Sequence, residues 1–146
     1  IRAMYAALEH MGVKPNTLLE PAMGIGNFFG LLPEQYHSAK LYGVELDSVT
    51  GRIAKQLYPE ANITVDGFER VEGEFDAVMT NPPIRAGKAV IYRMFEDAKA
   101  HLAEGGRLFL VIRKQQGAPS ALKFLKELYV RGRDHRARRR LLGDRM

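Results

Sequence analysis

An α/β domain built on a doubly wound, mainly parallel sheet is the fold class this sequence predicts. Three observations carry the prediction. Short apolar runs alternate with segments of helical apolar spacing along most of the 146 residues, the pattern of strands joined by crossover helices. A glycine turn, Gly24-Ile25-Gly26, follows the first strand and leads into a helix. Residues 107–114, RLFLVIRK, have a continuous apolar centre, as a parallel strand covered on both faces requires.

The elements follow in order. Residues 3–11 set Met4, Leu8 and Met11 on one helical face, with Gly12 as a stop. TLLEP (17–21) reads as a strand ending at proline, and KLYGVELD (40–47) as a second. Asp47 or Ser48 caps the next helix, whose Val49, Ile53 and Leu57 recur at four-residue spacing and are expected to be buried. NITVDGF (62–68) is the third strand. FDAVM (75–79) is the fourth, and it stops on Asn81-Pro82-Pro83. Val90, Ile91, Met94, Phe95, Ala98 and Leu102 form a helical stripe that Gly105-Gly106 is expected to end. After the fifth strand, Pro119 suits a first helical turn, and Leu122, Leu125, Leu128 and Tyr129 supply an apolar face. Residues 1–130 thus read as one core domain.

The net charge of +5 is not evenly spread. Residues 131–146 hold seven Arg and two Asp, whereas residues 1–130 hold fifteen basic and fifteen acidic residues. The basic pI therefore describes a tail and not a binding face. That tail is expected to be disordered or a frayed helix, not to pair with the fifth strand, and to carry the main phosphate contacts. Cysteine is absent, which excludes disulfides, thiolate nucleophiles and cysteine-based zinc sites. The four histidines lack ligand-like spacing, so no metal is expected. No apolar run reaches membrane-spanning length, and a cytoplasmic location is expected. The chain begins at Ile1 and is read as a fragment or trimmed chain.

The chemistry lies in two stretches. In the first, Gly24 and Gly26 permit close backbone approach to a nucleotide-like cofactor, though an ordinary tight turn would use the same residues. Glu45 ends the second strand 21 residues after Gly24, where a carboxylate accepts both hydroxyls of a ribose. The dinucleotide fingerprint needs a third glycine at position 29, which is Phe29 here. S-adenosylmethionine has a ribose and no phosphate, so it fits better. Glu20 can face its ammonium. Asp66 can accept from the adenine amino group, with Phe68 beside the ring, although an Asx-type turn before Gly67 explains Asp66 equally well.

The second stretch is Asn81-Pro82-Pro83. Two prolines cannot donate to a sheet ladder, so the chain must leave the sheet. The exocyclic amine of a nucleobase is a poor nucleophile because its lone pair is delocalised into the ring. The Asn81 amide oxygen and the Pro82 carbonyl can each accept one of its N–H groups and favour a pyramidal nitrogen. The prolines fix that geometry before substrate arrives.

LEPAMGIGNF (19–28), TNPPI (80–84) and HLAEGGRLFLVI (101–112) resemble the cofactor loop, catalytic loop and fifth strand of class I S-adenosylmethionine-dependent methyltransferases. The resemblance covers about residues 1–129 and implies a Rossmann-like methyltransferase fold. It implies a cofactor set of Glu20, Pro21, Gly24, Gly26, Asn27, Glu45, Leu46, Asp66, Gly67, Phe68 and Asn81, and a catalytic set of Asn81, Pro82, Pro83 and Ile84. Residues 1–70 look like helicase-associated adenine-N6 DNA methylases. Residues 75–129 look like the small-subunit rRNA guanine-N2 methyltransferase family. A composite joined near residues 70–75 is one expectation. Adenine-N6 enzymes usually carry an aromatic where this chain has Ile84, and Arg85 and Lys88 can meet phosphate. Guanine N2 of rRNA is therefore favoured over adenine N6 of DNA. The family's final strand pair has no counterpart in the arginine-rich tail and is expected to be missing. Two readings from other classes are a nicotinamide oxidoreductase, which Phe29 and the Asn-Pro-Pro loop oppose, and a non-catalytic module of the same fold.

Overall fold

The computed structural model describes residues 1–130 and 141–143; the side chains of Ile84, Val130 and residues 141–143 lie outside the described residues. The order is α1 (Arg2–His10), β1 (Thr17–Glu20), α2 (Asn27–Gly30), β2 (Lys40–Val44), α3 (Ser48–Leu57), β3 (Asn62–Thr64), β4 (Phe75–Thr80), α4 (Lys88–Ala100), β5 (Leu102–Leu110), α5 (Ala118–Val130) and β6 (Leu141–Gly143), with short 3-10 turns between. The six strands form one sheet in the order β3-β2-β1-β4-β5-β6. Every pairing is parallel. The order reverses at β1, so the crevice beyond the carboxyl ends of β1 and β4 is where such a sheet binds ligands.

The central strands are buried on both faces, as their apolar runs require. Leu18, Leu19, Ala77, Val78 and Met79 are almost wholly inaccessible. On one face Phe95 of α4, Leu125 of α5 and Phe75 pack together; on the other, Met4 and Leu8 of α1 pack with Phe28, Phe29 and Ala54. Asp76 ties the sheet at its opposite end, where its carboxylate accepts from the backbone N–H groups of Asn16 at 2.8 Å and Thr17 at 3.2 Å. β1 pairs with β2 on one side and β4 on the other. Residues 1–70 and 75–129 therefore share one sheet.

Three expectations are corrected. Val49, Ile53 and Leu57 of α3 are exposed, and the face that meets the sheet is Gly51 and Ala54. The cause is close approach: a Cβ on Gly51 would stand 2.7 Å from Val65 Cγ2. Small residues therefore face inward, and the larger apolar stripe is left outward. Asp47 does cap α3, accepting from Thr50 N–H at 2.8 Å and the Thr50 hydroxyl at 2.6 Å, which hold its carboxyl below its usual range.

Second, Gly105-Gly106 does not end α4. That helix ends at Ala100, and Leu102 already belongs to β5. The glycines sit in a register shift, with Phe75 opposite Leu102 but Ala77 opposite Arg107. Gly105 takes φ +74° there, and only a residue without a Cβ adopts such a bulge at no steric cost.

Third, the tail does pair with the sheet at one place. Leu141, Leu142 and Gly143 lie parallel to Leu108, Phe109 and Leu110. Without them the β5 edge would present unpaired N–H and C=O groups, and the tail's two leucines lie in the segment that closes it. A single strand, and not a pair, follows β5 among the described residues. The expectation of a disordered or frayed helical segment over 131–140 and 144–146 lies outside the described residues.

Candidate active site

Glu20 ends β1 and is 1% exposed. Its Oε1 accepts from Ala22 N–H at 3.0 Å. Its Oε2 is buried with no hydrogen-bond partner among the described residues. Burial pushes the carboxyl up to about 8, against the Ala22 N–H and the Thr80 hydroxyl, which draw it down, while Glu45 adds to the rise. A buried acceptor without a partner is costly. An arriving cation removes that cost, so Glu20 fits the ammonium of an amino-acid ligand.

The glycine loop lies between β1 and α2. Gly24 takes φ +56°, and a Cβ there would meet nothing within 4 Å. Gly24 therefore leaves open space for a ligand. Gly26 is a glycine for another reason: at φ +91° its Cβ would enter the Tyr58 ring. Tyr58 packs edge-on against Phe29, centroids 5.8 Å apart, so the ring at the third fingerprint position is part of the core. The helix that follows, α2, is a single turn starting at Asn27. One turn offers little dipole to a diphosphate, which agrees with a phosphate-free cofactor. Pro21 is buried and Asn27 exposed.

Glu45 stands just past β2 and accepts from Gly24 N–H at 2.9 Å through Oε2 and from Asp47 N–H at 3.1 Å through Oε1. Both oxygens retain a second lone pair for ribose hydroxyls. Leu46 beside it is 76% exposed, as an apolar residue is when it lines a ligand surface or nothing at all. At the end of β3, Asp66 Oδ1 accepts from the N–H of the next residue, Gly67, at 2.7 Å, whereas an Asx turn would take the N–H two residues on. The carboxylate is exposed and keeps its other oxygen. Phe68 does not stand beside an open base site. It is buried, with its ring 5.1 Å from His101, because the turn after Gly67 folds it into the core.

Asn81 follows β4 and is exposed; Pro82 is buried and Pro83 exposed. The Pro83 carbonyl accepts from Ala86 N–H at 2.8 Å, which closes the turn and leaves the Pro82 carbonyl free of it. The Ile84 side chain lies outside the described residues. In the β1–β4 register Leu18 faces Ala77 and Leu19 faces Val78, so Glu20 comes level with Met79. Asn81 is two residues beyond, about 6.6 Å further along, so Glu20 and Asn81 stand at the ends of adjacent strands. Asn81, Pro82, Pro83, Arg85, Val111, Arg113 and Gln116 line a cleft of about 550 Å³. Lys88 is turned to its own helix, with Nζ 5.6 Å from the Tyr92 ring centroid.

Sequence reasoning missed Thr80, Arg113, Gln116 and Tyr58. Thr80 had a signal: it is the one hydroxyl in an apolar strand, directly before Asn81. Arg113 had a weaker one, a basic pair at the end of the fifth apolar run. Tyr58 had none, because its role comes from packing between α2 and α3. Among the described residues no group of three or more His, Asp or Glu is placed to hold a metal ion, and no helix is long and apolar enough to cross a membrane.

The family model for the methyltransferase small domain matches residues 9–135. The chain belongs to that family. The expectations of the methyltransferase family and of a Rossmann-like fold stand. Over 66 residues the chain is 53% identical to the uncharacterized protein YbxB of Bacillus subtilis, covering 44% of this chain and 33% of that protein. It is 26% identical to modification methylase CviBIII of Paramecium bursaria Chlorella virus NC1A, over 87% of this chain and 39% of that protein. It is 29% identical to ribosomal RNA small subunit methyltransferase C of Actinobacillus pleuropneumoniae, over 64% of this chain and 31% of that protein. The chain thus spans about a third of the length of these relatives.

Solved structures agree on the fold. A TehB-like SAM-dependent methyltransferase from Corynebacterium glutamicum superposes with a TM-score of 0.68 at 19% identity, over 87% of this chain and 77% of that one. The plantazolicin methyltransferase BpumL, solved with SAH, does so at 0.65 and 13%, over 93% of this chain and 51% of that one.

Proposed function

We propose that this chain is the catalytic core of an S-adenosylmethionine-dependent N-methyltransferase that acts on an exocyclic amine of a nucleobase, with guanine N2 of small-subunit rRNA as the leading target. The observation that carries the reading is the Asn81-Pro82-Pro83 turn on the strand next to buried Glu20, whose Oε2 lacks a partner among the described residues, at the switch point of the sheet. Glu20 holds the methionine ammonium, Glu45 the ribose hydroxyls, and Asp66 with Leu46 the adenine end. The cofactor supplies an electrophilic sulfonium methyl.

The chain's own residues do the rest. The Asn81 Oδ1 and the Pro82 carbonyl accept the two N–H groups of the target amine and turn its lone pair out of the ring plane. No strong base is needed, because the nitrogen becomes acidic once it is alkylated, and its proton passes to water. The kinship with ribosomal RNA small subunit methyltransferase C and the aliphatic Ile84 favour guanine in rRNA. A cytoplasmic location fits that substrate. The longer match to modification methylase CviBIII favours the second reading, adenine N6 in DNA.

The test is methyl transfer from labelled S-adenosylmethionine to protein-free small-subunit rRNA, to small subunits and to duplex DNA, followed by nucleoside digestion. N2-methylguanosine is the expected product. N6-methyladenosine would move the chain to the second reading, and label in protein alone would overturn both.

A further inference from the structure

The cleft beside the amine clamp has an electrostatic character that the clamp chemistry does not need. It is framed by two loops, residues 81–88 after β4 and residues 111–117 after β5. These loops carry Arg85, Lys88, Arg113 and Lys114 and no acidic residue. Elsewhere in residues 1–130 the remaining eleven basic residues are outnumbered by fifteen acidic ones. The positive charge of an otherwise acidic body is thus concentrated at the mouth of its site.

Arg85 and Arg113 come from different loops, and both line the cleft with Asn81 and Gln116. Among the described residues no carboxylate lines it, and both arginines are exposed. A guanine edge can occupy one guanidinium through O6 and N7, but it leaves the second, from the other loop, without a counter-charge. A nucleotide within a strand brings a phosphate on each side of its base, and the planar guanidinium fork matches a phosphate oxygen pair. The amides of Asn81 and Gln116 can meanwhile read the base edge.

We infer that Arg85 and Arg113 form a phosphodiester clamp on either side of the target nucleotide, so that the substrate is a base displayed in a single-stranded segment of nucleic acid. This rests on the nucleobase reading above and adds which polymer-specific group the site holds. It also moves part of the phosphate recognition from the tail to the cleft.

The test is binding of a fluorescein-labelled single-stranded RNA dodecamer by the full chain, read by anisotropy from 50 to 300 mM salt. Arg85→Ala and Arg113→Ala should each flatten the slope of log affinity against log salt by about 0.7, and the double variant by about twice that. Arg113→Lys should keep the slope, as should Lys55→Ala on the exposed face of α3. Titration with S-adenosylmethionine checks that each variant remains folded. The inference is overturned if both alanine variants keep the parent slope, or if the parent does not bind the dodecamer. If binding depends on the arginines but no methylated base is ever formed, the clamp stands and the catalytic reading falls. If methylated base forms with arginine-independent slopes, the reverse holds.

Discussion

Cofactor binding should release a proton, and Glu20 should be its source. The carboxyl is sealed from water, one oxygen has no partner, and burial raises it to about 8. In the free protein at pH 7 it is about nine-tenths protonated. An ammonium needs the ionised carboxylate, so binding must drive that proton off. Affinity should then fall about tenfold per pH unit below 8. Between pH 7.5 and 5.5 the loss should be about 75-fold, about 2.6 kcal/mol. Calorimetry in buffers of different ionisation enthalpy should return about 0.9 proton released per S-adenosylmethionine at pH 7. Glu20→Gln should bind weakly with no such pH dependence.

The stability of the free protein gives an independent check. A pKa raised on folding contributes stability that is complete below the unfolded value and is lost as pH rises through the folded one. Free protein should therefore lose stability between about pH 4.5 and 8, and Glu20→Gln should gain relative to it across that window. Affinity that is flat with pH, or a pH dependence that survives in Glu20→Gln, would refute the reasoning.

Three further outcomes are expected. Asn81→Ala should keep the cofactor affinity of the parent while kcat falls about 10²–10³-fold, since its hydrogen bond strengthens as the amine becomes pyramidal; equal loss of both would mean a structural role. Glu45→Ala should weaken cofactor binding by about 1–3 kcal/mol, measured by titration, because it frees the Gly24 N–H as well as the ribose hydroxyls. Gly26→Ala should lower the denaturation midpoint through its collision with Tyr58 and its positive φ, with a cost of about 1–3 kcal/mol; Tyr58→Ala in the same chain should recover the part due to the clash and leave the part due to backbone strain.

The sheet was legible because parallel strands buried on both faces read as unbroken apolar runs, and all five expected strands are present. The turn at Gly24 and Gly26 and the strand stop at Asn81-Pro82-Pro83 were legible because glycine, proline and single polar residues at strand ends have few other uses. What failed has a common cause. Val49, Ile53 and Leu57 were assigned inward on periodicity, but Gly51 and Ala54 let the helix lie against Val65, and a stripe of small residues carries no hydropathy signal. Gly105-Gly106 was taken as a helix stop because a bulge and a C-cap use the same residue. Phe68 was placed beside a ligand because sequence order cannot show which way a turn throws a ring. The strand at 141–143 was hidden by the arginines around it, since a three-residue edge strand is set by the partner that needs pairing more than by its own pattern.

The chemistry of this site depends on register more than on any single side chain. β1 brings Glu20 to the crevice and β4 brings Asn81, and their parallel pairing sets Asn81 two residues beyond the level of Glu20. Thr80 links them: it is buried directly before the clamp, its hydroxyl draws the Glu20 carboxyl down, and it touches Met94 Sδ at 3.9 Å. A one-residue slip of β4 against β1 would send Thr80 to the opposite face and carry Asn81 about 3.3 Å along the strand. Cofactor binding by β1 and β2 would survive such a slip, while the amine would no longer meet the methyl. The apolar packing that locks Ala77 and Val78 against Leu18 and Leu19 therefore sets where Glu20 and Asn81 stand relative to each other.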